Sequence, residues 1–192
     1  MENFIVHPGS RRGGAQKTDA DLFGVRYPRR TELDMRDDKR FTQSEQLPYF
    51  LIVEVTGGKC KLNGPWTDRN KRNIDYVLKA IGAFEDEPPS EDASLETIAD
   101  ALYQRGGFLG KQLQIRLFAA GREIDDDLTE RFPELAQITL KEMLDFIHHR
   151  FRAYQRQKAN NEQWNHDGKS LYEYAQELKP DEFCQRILGP PR

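Results

Sequence analysis

The segment that most restricts this chain is Tyr49-Phe50-Leu51-Ile52-Val53-Glu54-Val55, opened by Pro48 and closed by Gly57-Gly58. Its apolar run is as long as a strand and far short of the roughly 20 residues needed to span a bilayer. A strand with one wet face alternates apolar and polar residues, whereas a near-continuous apolar run belongs to a strand covered on both faces. The expectation is a central strand in a mixed sheet flanked by helices, an α/β class. Glu54 is the exception in that run. Residues two apart on a strand share a face, so Ile52, Glu54 and Thr56 point the same way. An ionised carboxylate at the end of a buried strand is costly to desolvate unless a cation or a hydrogen-bond donor meets it.

A second strand is predicted from Asp19 to Tyr27, where Leu22, Phe23 and Val25 are apolar and Pro28 ends the run. Asp19 and Asp21 share a face there. Residues 7–18 are turn-rich and read as a loop. The charged stretch 29–46 reads as an excursion with a helical turn near 32–39. After the turn-rich segment 61–66, a helix is expected over 69–83, capped by Thr67 or Asp68, with Ile74, Val77, Leu78 and Ile81 at core spacing. A second helix, capped by Ser90, carries Leu95, Ile98, Ala99, Leu102 and Tyr103 and stops at Gly106-Gly107. A strand over 112–119, a short helix before Phe132-Pro133, and a short strand over 137–140 follow. A long helix over 141–160 and a helical tail ending near Leu188 complete the chain. The simplest organisation is one domain over 1–192, with a core at 13–140 and a helical C-terminal extension at 141–188.

The 192 residues are enough for one domain with a proper core. No secretory pattern opens the sequence, and Cys60 and Cys184 stand in neither a CxxC nor a Cys/His spacing, so a cytoplasmic protein with reduced thiols and no membrane role is expected. The net charge of −3 argues against a strongly basic polyanion binder. That average hides a segregation. Lys59, Lys61, Arg69, Lys71, Arg72 and Lys79 face only Asp68 and Asp75 in their stretch, while Glu85 to Asp100 is acidic with no basic residue. Such blocks can place a positive surface beside one site. His148-His149-Arg150 with Arg152, Arg156 and Lys158 reads as a basic helix face, a solvated surface ahead of a nucleic-acid contact. Trp66 and Trp164 read as packing anchors.

Taken together, Thr18-Asp19-Ala20-Asp21-Leu22-Phe23-Gly24-Val25-Arg26 and Leu51-Ile52-Val53-Glu54-Val55-Thr56 resemble the paired core strands of the PD-(D/E)XK, or restriction-endonuclease-like, nucleases. The resemblance covers residues 13 to 82, including the helix after the second strand. It implies a restriction-endonuclease-like fold with Asp21 as the metal-binding aspartate and Glu54 as the acidic residue of the second motif. It also implies that Val55 offers its backbone carbonyl to Mg²⁺ or Mn²⁺. Two departures stand out. The motif lysine is replaced by Thr56, with Lys59 and Lys61 as the side chains that could reach back to replace it. Relatives also have a helix before the aspartate strand, where this sequence has a loop-like segment.

The resemblance therefore implies a Mg²⁺-dependent nuclease hydrolysing phosphodiester bonds in DNA, with Asp21, Glu54, Lys59 and Lys61 catalytic. Arg69, Lys71 and Arg72 would then contact the nucleic-acid backbone. The alternative is an inactive relative that keeps the sheet as a nucleic-acid-binding or protein-assembly module, with a protein partner or a second copy of the chain.

Overall fold

The computed structural model describes residues 2–6, 18–28, 40, 47–82, 94–160 and 164–190. The expected loop at 7–17, the excursion around 32–39 and Ser90 lie outside them. The chain divides into two compact units, Met1–Gln137 and Ile138–Arg192.

The first unit is mixed α/β, built on a mixed sheet in the order β1-β2-β3-β5-β4, with β6 also pairing β5. Its strands are β1 (Glu2–Val6), β2 (Thr18–Arg26), β3 (Tyr49–Val55), β4 (Gly107–Leu109), β5 (Gln114–Gly121) and β6 (Ala136–Thr139). β1, β2 and β3 form an antiparallel meander, β5 lies parallel to β3, and β4 is antiparallel to β5. A parallel neighbour requires a crossover, and the helices after β3 supply it. The apolar run thus occupies a central strand covered on both faces. Ile52, with Ile115, Leu117 and Ala119 of β5, packs under the helices. Tyr49, with Leu51, Val53 and Phe118, forms a separate cluster on the other face. Burial and loss of hydration push the Tyr49 phenol up to about 12.

The helix expected over 69–83 is two pieces, and a short helix stands before it inside the segment that reads as turn-rich. Pro65 opens α1 (Gly64–Thr67), and Asp68 then caps a 3-10 turn at Arg69–Lys71 by accepting from the Asn70 amide. Arg72 turns left-handed at φ 52°, and α2 (Asn73–Ile81) begins after it. A non-glycine residue there stops helix propagation, and nothing in residues 69–73 announces it. Ser94 caps α3 (Leu95–Arg105), later than expected, and Gly106 at φ 79° ends it as the glycine pair predicts. β4 begins at Gly107, inside what reads as a helix stop. The short helix α4 (Asp126–Arg131) follows β5. Trp66, Ile74, Val77, Leu78, Ile98 and Leu102 are fully buried under the sheet.

The second unit is helical: α5 (Leu140–Ala153), α6 (Gln155–Lys158), α7 (His166–Glu177) and α8 (Pro180–Leu188). Thr139 and Glu142 form a reciprocal capping box at the start of α5. Leu144, Ala175, Phe183 and Cys184 make its core. Trp164 packs against Phe151 and Tyr172, as an anchor would. The basic face differs from expectation at His148. It is buried, its Nε2–H donates to the Leu178 carbonyl at 2.9 Å, and its ring packs on Phe183. Among the described residues, no helix is long and apolar enough to cross a membrane.

Candidate metal centre

The two candidate acids lie at the ends of antiparallel neighbours, β2 and β3. Their register runs from Arg26↔Tyr49 to Leu22↔Val53. Beyond it the Asp21 carboxylate stands in for a backbone acceptor, and the Val55 N–H donates to Asp21 Oδ2 at 2.7 Å. Ala20 and Phe23, three residues apart, both join the cluster under the helices. The register with β1 stays constant past Asp21, from Glu2↔Leu22 to Phe4↔Ala20. The side chain that the resemblance marks as metal-binding therefore also terminates a strand ladder.

Glu54 is 3% exposed. Asn63 Nδ2 donates to Glu54 Oε2, supplying the kind of donor that a buried carboxylate requires. Sequence reading missed Asn63, because Asn63-Gly64-Pro65 reads as a turn and nothing local ties it to a residue nine positions earlier. Its location is set by flanking anchors: Cys60 and Trp66 are both fully buried, and Leu62 packs against the same core.

The loop after Glu54 is laid along β5. The Thr56 N–H donates to the Ala120 carbonyl at 2.8 Å, Arg122 N–H to the Gly58 carbonyl at 2.6 Å, and Cys60 N–H to the Glu123 carbonyl at 2.8 Å. Gly121 permits this approach. A Cβ there would sit 2.7 Å from the Gly58 carbonyl oxygen and 2.8 Å from the Cys60 nitrogen. Thr56, at the motif-lysine position, donates its hydroxyl to the Lys59 carbonyl at 2.8 Å. It fixes the loop rather than supplying charge. Lys59 places Nζ 3.1 Å from Asp125 Oδ1. That hydrogen bond, with the attraction of the same carboxylate, holds the ammonium protonated above the usual lysine range. Lys61 is exposed, with no ion pair among the described residues.

Three further residues of the basic block meet carboxylates, one of them on α3. Arg69 is hydrogen-bonded to Asp100. Lys71 lies 3.6 Å from Asp68. Arg72 forks onto the buried Asp75, with Nη2 at 2.8 Å and Nε at 3.3 Å. Arg69, Arg72, Asp75, Glu96, Asp100 and Tyr103 help line an open cavity of about 420 Å³ in which both signs of charge alternate.

Asp21 and Glu54 supply carboxylate oxygens, the ligand type that a hard divalent cation takes, and the Val55 carbonyl follows on the same stretch of backbone. Mg²⁺ takes one or two carboxylates and completes its shell with water and other oxygens. Among the described residues, no group of three or more His, Cys, Asp and Glu side chains gathers at ligating distance, so further ligands would come from other oxygens. No family model matches the chain, and no curated protein or solved structure is significantly similar to it.

Proposed function

We propose that this chain is a PD-(D/E)XK-like domain that retains a divalent-cation site at Asp21 and Glu54, does not cut phosphodiester bonds, and serves as a protein-assembly module. Support for the fold reading comes from the acidic strands lying side by side and antiparallel, within a mixed sheet and ahead of a helix. The observation that carries the functional reading is the commitment of the residues at and after the motif-lysine position. Thr56 is spent on the Lys59 carbonyl, and the Lys59 ammonium is spent on Asp125.

Asp21, Glu54 and the Val55 carbonyl would hold the cation, while Asn63 fixes the rotamer of Glu54. A bound Mg²⁺ supplies positive charge and a water of lowered pKa. Thr56 stands where the motif lysine would supply a preorganised positive charge for the phosphate, an effect worth a few kcal/mol in comparable sites. Arg69, Lys71 and Arg72 each face a carboxylate, so a nucleic-acid phosphate would have to displace an internal anion at each one. That arrangement favours a protein partner or a second copy of the chain over a bare polyanion.

One feature favours active cleavage as a second reading: Lys61 is exposed and carries no ion pair among the described residues. The two readings separate in an assay of supercoiled plasmid and single-stranded DNA with Mg²⁺ or Mn²⁺, run beside light scattering. The assembly reading expects intact DNA and self-association or capture of a protein partner. Cleavage by the wild type that Glu54→Ala abolishes would overturn it.

A further inference from the structure

We infer that Asn63 is a working member of the cation site: its amide nitrogen holds Glu54 when the site is empty, and its amide oxygen, turned inward, ligates the divalent cation. The inference rests on the cation reading of Asp21 and Glu54 and adds a ligand that no part of the nuclease motif supplies.

Three observations lead to it. Asn63 occupies the position before α1 where an asparagine ordinarily accepts from the first amides of its own helix, yet it makes no such side-chain cap. It gives its amide to Glu54 instead. The placement is also rigid from both sides. Cys60, three residues earlier, is fully buried and bonded through its amide to Glu123, and Trp66, three residues later, is fully buried in the core. A side chain delivered so firmly to a buried carboxylate is preorganised, and it stays within reach of any ion that the carboxylate binds.

The chemistry of the amide supports the second half of the inference. An asparagine carries a donor nitrogen and an acceptor oxygen of nearly equal size on one planar group. Rotation about its terminal torsion, which is broad and roughly two-fold, exchanges them without moving the backbone. Hard cations accept amide oxygens alongside carboxylates. In the empty site the amide donates to Glu54 Oε2. When the cation takes the carboxylate's negative charge, the same amide can present Oδ1 to the ion. The exchange trades the hydrogen bond to Glu54 for an oxygen–cation contact and leaves every covalent bond intact.

The test is direct binding of Mn²⁺ to the full chain, read from the loss of the free-ion paramagnetic resonance signal, in wild type, Asn63→Ala, Asn63→Asp and Glu54→Gln. Thermal melting establishes that each variant is folded. Asn63→Ala is expected to weaken Mn²⁺ binding on the order of tenfold. Asn63→Asp is expected to restore or exceed wild-type affinity, because a carboxylate ligates but cannot donate to Glu54. A residue that only donated a hydrogen bond would show the opposite order, with Asp the worse substitution. Wild-type affinity in both Asn63 variants, with binding lost in Glu54→Gln, would overturn the role of Asn63 and leave the cation pair standing. Absence of Mn²⁺ binding by the wild type would overturn the cation reading and this inference together.

Discussion

The acids at the ends of β2 and β3 and the bases that follow them are treated in opposite ways by the same fold. Asp21 and Glu54 are met by amides, the Val55 backbone N–H and the Asn63 side chain. Lys59, Arg69, Lys71 and Arg72 are met by carboxylates, on Asp125, Asp100, Asp68 and Asp75. An amide orients a carboxylate without cancelling its charge, whereas a carboxylate beside a lysine or arginine does cancel it. A chain built to grip DNA would gain from the reverse arrangement on its basic side. The four bases held by carboxylates favour a protein partner over a nucleic-acid phosphate.

The largest effect that could break this contrast is expected at Glu54. Glu54→Ala should remove Mn²⁺ binding to below detection in equilibrium dialysis, and retained binding would mean that the ion sits elsewhere. Gly121→Ala comes next. Its new methyl meets backbone atoms of Gly58 and Cys60, so a loss of about 2 kcal/mol in urea unfolding is expected, with displacement of the loop after Glu54. A neutral outcome would show that this loop is not held against β5 as described.

Asp21 separates structure from ion binding. Asp21→Ala leaves the Val55 amide without its acceptor and should cost about 1 kcal/mol. Asp21→Asn can still accept that bond, so it should keep most of the stability while weakening Mn²⁺ binding. Equal destabilisation by both would show that the negative charge itself stabilises the strand end. The smallest effects belong to the bases. Arg69→Gln and Lys71→Gln should leave the melting temperature within error, since exposed ion pairs contribute little. Lys59, whose folded-state pKa is raised by Asp125, contributes stability that is present at neutral pH and is lost as pH rises through and beyond 10.5. Asp125→Asn should flatten that alkaline dependence, as read from melting temperature against pH.

Much of the frame was legible because burial writes itself into local pattern. The run from Tyr49 to Val55 is apolar on both faces because both faces of β3 are covered. The Leu95–Tyr103 stripe and the following glycine pair mark α3 and its end for the same local reasons. What could not be read depends on contacts between distant residues, or on backbone states that carry no residue signature. Arg72 adopts a left-handed conformation without being glycine, so the break between the 3-10 turn and α2 is invisible. α5 ends at Tyr154 with neither glycine nor proline to announce it. The basic block looked like an open positive surface because two of its neutralising acids come from elsewhere, Asp100 from α3 and Asp125 from the segment after β5, while Asp68 and Asp75 sit within it. At the site, the acids were found through their strands, while Asn63 was hidden because its partner is chosen by the fold and not by spacing.

The most direct measurement is a crystal structure of the full chain grown with Mn²⁺, with the ion located by its anomalous signal. The expected result is a peak bound by Asp21 and Glu54, with Asn63 Oδ1 facing it and Lys59 still paired with Asp125. A chain without ordered Mn²⁺ at these residues, or one in which Lys59 or Lys61 has swung in to meet the carboxylates, would contradict it.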